Sequence, residues 1–359
     1  MLGRDESIRG PGPDMNLTEI RKVEHLNICL KEAVEAGDPL FEDVRLVHQS
    51  LPETDLEEVD TSCEFLDKKL DLPLMIAAIT GGCEEAGRIN EALAQVAEKK
   101  GLAFGVGSQR AMIEKPELTQ TFSVRSVAPS VLLLGNIGIT ALKQVSPDRV
   151  VNAVEAIEAD GLCVHINPAQ EIFQNEGDDD FSGCVDALAR LCTEVRFPVV
   201  GKEVGNGISR EAAEHLKEAG VRAIDVGGLG GTSWTLIDSL RSGKDSSRYR
   251  KWGIPTAAAI LEAKTVRLPV IATGGLRNGL HMAKAIALGA DLCGIALPFL
   301  RVLAKDGIPG VESFVEALER DFRHALFLTG CKNVAELKNT SIILGARLNE
   351  WVDQRNLGG

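Results

Sequence analysis

The densest group of reactive side chains lies in HINPAQE, where His165, Asn167, Gln170 and Glu171 stand close together. An imidazole, two carboxamides and a carboxylate at that spacing suit proton transfer, oxyanion binding or metal ligation. No His-x-x-x-His, acidic trio or cysteine pair accompanies them, so a structural zinc site is unsupported. A lone carboxylate such as Glu171 suits Mg2+, which keeps most of its waters and takes its other ligands from substrate phosphates. His165 equally reads as a core histidine bonded to a neighbouring carbonyl, and Asp178, Asp179 and Asp180 read as a solvated loop.

A second feature is a lysine inside an apolar strand. Lys202 sits in VVGKEV, where an unpaired ammonium is costly. It requires a structural ion pair in the neighbourhood of Glu203, a bound anion, or Schiff-base chemistry. Arg21, Lys22 and His25 share one helix face by their spacing, which is either a solvated surface or an anion grip. Arg110 follows GVGSQ and, with Ser108, ends an apolar run. In PVIATGGLRNG a run stops at Thr273 in the bare corner Gly274–Gly275, with Leu276 and Arg277 next. Glycines admit a close approach of backbone N–H groups that a side chain would block. That corner is either a tight turn or the cradle of a phosphate, with Arg277 adding a cation.

The hydrophobic pattern supplies a framework for these residues. Short β-rich runs at 74–79, 102–107, 131–138, 162–166, 198–204, 223–228, 269–275 and 292–297 alternate with amphipathic stretches such as EAGRINEALAQVAEKKG and NGLHMAKAIALGAD. Strands each followed by a helix predict a (β/α)8 barrel from residue 73 to about 305, with a large doubly wound sheet as the alternative. Barrel chemistry sits at the C-terminal strand ends. There stand Ala78, Ile79 and Thr80 of the first run, Ser108 and Arg110 after the second, and Asn136 in the third. Thr232 follows the sixth run, and Ala296 and Leu297 close the eighth. The ends of strands seven and eight are where barrels commonly hold a phosphate. Ahead of the barrel, residues 1–16 read as a flexible polar tail and TEIRKVEHLNICLKEAVEAG as a helix closing at Gly37. Residues 41–62 read as strand-like with interruptions.

Composition bounds the class of function. The 359 residues are 44% hydrophobic and 4% aromatic, with 36 glycines and a formal net charge of −13. That fits an α/β protein with many strand-to-loop corners. It argues against a nucleic-acid or membrane-surface binder, but not against a small anion held by local cations. The cysteines form no Cys-x-x-Cys pair, so buried reduced thiols are expected. No signal peptide and no apolar run of about 18 residues is found, so a cytoplasmic protein is expected.

RKVEH, LVHQSLPE, ITGG, GSQR, HINPAQE, KEVG, GGLGGTSW, GIPT and ATGGLRNG occur in that order. Together they resemble the type 2 isopentenyl-diphosphate isomerases, FMN-dependent (β/α)8 enzymes that interconvert isopentenyl diphosphate and dimethylallyl diphosphate. The glycine motifs recur across flavin barrels, whereas RKxEH together with HxNPxQE and GGTSW is specific. The likeness runs from about residue 19 to at least residue 300. Ala169 and Ile166 stand where that family's pattern has leucine, and no polar side chain is lost.

The resemblance implies a flavin site from Ala78, Ile79, Thr80, Ser108, Asn136, Lys202 and Thr232, with the FMN phosphate on Gly274, Gly275, Leu276, Arg277, Ala296 and Leu297. It implies a shell around the substrate diphosphate from Arg21, Lys22, His25, Ser108, Arg110, His165 and Asn167. Gln170 would approach the isoprenoid carbons, Glu171 would hold Mg2+, and Gln170, His165 and Lys202 would carry catalysis. Residues 17–72 would then lie over the mouth of a barrel domain spanning 73–359. Reduced FMN, supplied with electrons by NADPH or NADH, would act as acid and base. A homo-oligomer, tetramer or octamer, is implied, with a small-molecule diphosphate as partner and neither nucleic acid nor membrane.

Two other enzymes on the same barrel fit less well. A 2-hydroxy-acid oxidase or dehydrogenase wants a histidine base beside an arginine, and no histidine precedes ATGG. A nucleotide dehydrogenase wants a cysteine after strand six, where GGTSW has none. A ligand-storing barrel has no use for Glu171 or for a second group of cations.

Overall fold

The computed structural model describes residues 17–357, and the tail expected at residues 1–16 lies outside them. Parallel strands close into an eight-stranded barrel: β1 (Leu74–Ile76), β2 (Ala103–Gly105), β3 (Leu132–Gly138), β4 (Gly161–Ile166), β5 (Val199–Glu203), β6 (Ala223–Asp225), β7 (Val270–Thr273) and β8 (Leu292–Ile295). Each falls on one predicted run. Strands buried on both faces read as continuous apolar runs rather than as alternation, which is why the pattern was visible. β8 pairs back onto β1 with Gly294 beside Met75, so no edge is left open.

Inside the barrel Met75, Leu132, Val200, Ile271 and Leu292 pack with Phe65 and Leu70. The last two belong to the hairpin Cys63–Phe65 and Lys68–Leu70, which runs straight into β1 and fills the N-terminal end. The closed bottom leaves the C-terminal mouth for chemistry. Parallel register then sets the site's middle: Gly138 lies beside His165, His165 beside Lys202, and Lys202 beside Asp225. Polar side chains of neighbouring strands thus share one level of the barrel.

The first helix ends earlier than its pattern suggests, at Leu17–Lys31 rather than at Gly37. Arg301 takes its C-terminal carbonyls, with Nε on Cys29 O at 3.0 Å and Nη2 on Glu32 O at 2.8 Å, a cationic cap that satisfies groups the helix leaves open. Residues 32–40 continue as a strap along the mouth. Ala36 N donates to Gly231 O at 3.1 Å and Ser233 N to Val34 O at 2.8 Å. Within residues 41–62, Val44–Leu46 forms a strand that pairs antiparallel with Ile342–Leu344, a partner from the far end of the chain. After β8, Leu297–Leu328 is two helices meeting at Gly307, whose φ is 67°. All eight cysteines are free and most are buried. Among the described residues no helix is long and apolar enough to cross a membrane.

Candidate functional site

Every residue assigned above to flavin, phosphate, substrate or metal lines one cavity at the C-terminal mouth. Its empty volume of about 1650 Å³ includes space open to solvent.

One end of the cavity is made of backbone. Gly274 and Gly275 have φ of 111° and 78°, and a Cβ on Gly275 would stand 2.4 Å from Gly230 O. The two glycine corners after β6 and β7 pack into each other, so the turn itself demands glycine. Thr256 Oγ1 donates to Gly274 O at 2.6 Å and pins the corner. The amides of Gly275, Leu276, Arg277, Ala296 and Leu297 find no acceptor among the described residues and border the cavity. Donors gathered where two strands end suit an anion, and the corner is a tight turn that leaves them free. Elsewhere on the cavity wall, Thr80 Oγ1 is buried without a partner. Free amides and an orphan hydroxyl fit a phosphorylated cofactor such as FMN. Arg277 is less free than its position suggested: it pairs with Glu35 and donates from Nη1 to Leu276 O at 2.6 Å.

At the centre, Lys202 Nζ lies 3.0 Å from Asp225 Oδ2 and donates to Glu203 O at 2.9 Å. The anion that Lys202 requires is therefore Asp225, from the next strand. The Glu203 carboxylate turns away, its Oε2 accepting from the amides of Val204 and Gly205 at 2.6 Å each and of Gly207 at 3.2 Å. Burial pushes the Glu203 carboxyl up to about 7 against those donors. Asp225 also accepts from Thr273 Oγ1. His165 Nδ1 lies 2.8 Å from Asn136 Oδ1. Burial first, then Lys22 and Lys202, bring its pKa down to about 3, so the imidazole is neutral.

The other end is made of side chains. Arg21, Lys22 and His25 on the helix Leu17–Lys31 face the mouth. The fully buried carboxylate of Asp238 holds the last of them: it accepts from His25 Nε2 at 2.9 Å, and also from Gln170 Nε2 at 2.7 Å and Arg241 Nε at 3.0 Å. Burial opposes ionisation of Asp238, yet His25, Gln170 and Arg241 overcome it and hold the pKa at about 2. Burial likewise pulls His25 down, with Asp238 opposing. Glu176 accepts from Arg241 at 2.7 Å and lies 3.4 Å from Arg21. Lys22 has no carboxylate partner among the described residues, and burial, with help from Arg21, lowers its pKa to about 8. Arg110 stands at the rim, half-exposed and 2.9 Å from Glu114.

Glu171 accepts from Asn167 Nδ2 at 2.6 Å and from Asp178 N at 2.8 Å. No group of three or more His, Cys, Asp or Glu able to hold a metal occurs among the described residues. The donor set suits a cation that brings waters and takes further oxygens from a bound phosphate.

Asp225, Asp238, Glu176 and Arg241 were not anticipated from sequence. Asp225 had a readable signal, as a carboxylate in the apolar run AIDVGG demands a cation. Asp238 had a fainter one, a single acid in TSWTLIDSL one turn after Trp234, whose ring packs 5.2 Å from that of His25.

The family profile described as FMN-dependent dehydrogenase matches residues 138–344. The chain is 44% identical to the isopentenyl-diphosphate delta-isomerase of Pyrococcus horikoshii, over 94% of this chain and 95% of that one. It is 46% identical to the protein of that name from Archaeoglobus fulgidus, over 94% and 99%. Among solved structures, a mandelate oxidase with a difluorinated 2-hydroxy acid superposes with a TM-score of 0.64 at 19% identity, covering 90% of this chain and 95% of that one. A flavocytochrome b2 variant with pyruvate bound gives 0.66 at 19%, over 91% and 84%. At that identity the two structures speak to the fold alone.

Proposed function

This chain belongs to the FMN-dependent dehydrogenase family and to the isopentenyl-diphosphate delta-isomerases, and we propose on that premise that it interconverts isopentenyl diphosphate and dimethylallyl diphosphate by a 1,3 allylic proton shift. The observation that carries this reading is Lys22, a crowded ammonium without a carboxylate partner among the described residues, facing the same cavity as the free amides of the β7–β8 corner. An acidic protein that keeps two separate places for anions at one mouth suits a phosphorylated cofactor and a phosphorylated substrate.

Lys22 and Arg21 grip the diphosphate and, with His25, anchor the substrate's polar end. A diphosphate oxygen needs an N–H at His165 Nε2; the carboxamide of Asn136, which presents an acceptor or, rotated, a donor, permits that tautomer. Gln170, held by Asp238, is fixed at the edge of the space left for the isoprenoid carbons. Lys202, level with His165 and lining the cavity, offers a donor to a neighbouring ring, while Asp225 balances its charge. Reduced FMN, once bound through the β7–β8 amides, supplies a ring able to give and take a proton, with NADPH or NADH as its reductant. Glu171 holds Mg2+ against the diphosphate. The helix Leu17–Lys31 excludes water and orients the substrate. A homo-oligomer, tetramer or octamer, completes the reading.

The oxidase alternative finds less support. At the end of β7 stands Thr273, whose hydroxyl is committed to Asp225, where a hydroxy-acid oxidase needs a base. The decisive experiment uses anaerobic holoenzyme reduced once. Isopentenyl diphosphate should be converted for many turnovers with the flavin spectrum staying reduced, and deuterium from D2O should enter both isomers. Stoichiometric consumption of NAD(P)H during steady-state isomerisation would overturn the proton-shift account, because the reaction delivers no electrons.

A further inference from the structure

The amide corner and the cap meet at a carboxylate for which the proposed reaction has no use. Glu35 lies in the strap after the helix Leu17–Lys31, fixed by its bridge to Thr232. Its two oxygens face two guanidiniums: Oε1 pairs with Arg277 Nη2, and Oε2 lies 3.9 Å from Arg301 Nη1. Arg277 stands on the loop that carries three of the free amides. Arg301 follows one turn after the other two, at the start of Leu297–Leu328.

The two arginines are not equivalent. The remaining nitrogens of Arg301 hold Cys29 O and Glu32 O, so it cannot turn to a ligand without releasing the end of the helix that carries Arg21, Lys22 and His25. Arg277 is tied only to its neighbour's carbonyl and to Glu35, and it lines the cavity. Without an anion at the corner, two adjacent guanidiniums repel each other, and Glu35 offsets that repulsion. A phosphate dianion docked on the amides would do the same, and would then face the Glu35 carboxylate as a like charge.

We propose that Glu35 is a specificity residue for the cofactor: by occupying Arg277 and opposing the phosphate, it limits how strongly the corner prefers a phosphorylated flavin over the same flavin without its phosphate. This rests on the reading of the β7–β8 amides as the phosphate cradle. Glu35 is itself 40% exposed, so solvent screens its effect and a moderate change in affinity is expected.

The test is equilibrium titration of flavin-free protein with FMN and with riboflavin, in the wild type, Glu35→Gln and Glu35→Asp. In Glu35→Gln, FMN should bind roughly three- to tenfold more tightly and riboflavin as before, with the gain shrinking as salt is raised. Glu35→Asp keeps the charge and should stay within about twofold of wild type. FMN binding that is unchanged or weaker in Glu35→Gln overturns the proposal, as does an equal change for both flavins. If the wild type itself binds FMN and riboflavin equally, the cradle reading fails instead, whatever the variants do.

Discussion

The two anion sites proposed at the mouth are built by opposite means. The corner between β7 and β8 uses backbone amides, held by glycines at φ of 111° and 78° and by packing of one turn against another. The cap uses long cationic side chains, Arg21 and Lys22, beside His25, which a buried carboxylate holds from a different helix. A backbone site has almost nothing to reorganise when a ligand arrives. A side-chain site must bury its charges while empty, and Lys22, lowered to about 8 first by burial and then by Arg21, records that cost. The corner suits a cofactor that stays, and the cap suits a substrate that comes and goes.

The comparison breaks most completely at Gly275. Gly275→Ala places a methyl group in a left-handed conformation and against Gly230 O, at about 2–4 kcal/mol. We expect protein that purifies without bound flavin and melts earlier, read from its visible spectrum and its thermal transition. The cap should be next. Lys22→Met should lower kcat/KM roughly 100-fold while FMN titrations stay at wild-type affinity; a parallel loss of flavin would merge the two sites into one.

Lys22 also predicts a stability effect of opposite sign. Its folded pKa of about 8 lies below the ordinary lysine value of 10.5, so between those values the unfolded chain binds the extra proton. Stability is then lost as pH falls from 10.5 towards 8. Lys22→Met removes that loss and should stabilise ligand-free protein at pH 7 by up to about 3 kcal/mol in urea unfolding. Affinity for the diphosphate should fall as pH rises through about 8 in the wild type, and stay flat in Lys22→Met.

Asp238→Asn tests whether the cap depends on a charge outside it. The variant keeps the shape but leaves Arg241 and His25 without their anion, so kcat should fall about tenfold with a loss of about 1–3 kcal/mol in stability. Unchanged kinetics would show that Arg21 and Lys22 aim themselves. The smallest effect is expected from Glu171→Gln, which should raise the Mg2+ needed for half-maximal activity roughly tenfold and leave the flavin spectrum alone. Activity indifferent to EDTA would remove the metal from the cap altogether.

The barrel was legible because each strand is buried on both faces and each helix on one, so two hydrophobic periods alternate along the chain. The glycine corner was legible because no other residue tolerates its geometry. Lys202 was legible as a charge in need of a partner, either in the neighbourhood of Glu203 or in a bound anion. Sequence adjacency was the wrong guide there, since Glu203 points its carboxylate at the following amides while register with β6 delivers Asp225. Arg277 was read as a free cation for a comparable reason: Glu35 reaches it from the strap, far away in the chain.

Sequence alone determined the order of elements, the side chains carried to the strand ends and the need of Lys202 for a counter-charge, because period, burial cost and backbone geometry are local properties. Tertiary structure decided which acid meets which base: Asp225 with Lys202, Asp238 with His25 and Gln170, Glu35 with Arg277 and Arg301. It also decided that Arg301 ends the first helix at Lys31 and that Val44–Leu46 finds its partner in Ile342–Leu344. Pairing between distant residues is set by barrel closure and strand register, which fix separations in space that no spacing along the chain encodes.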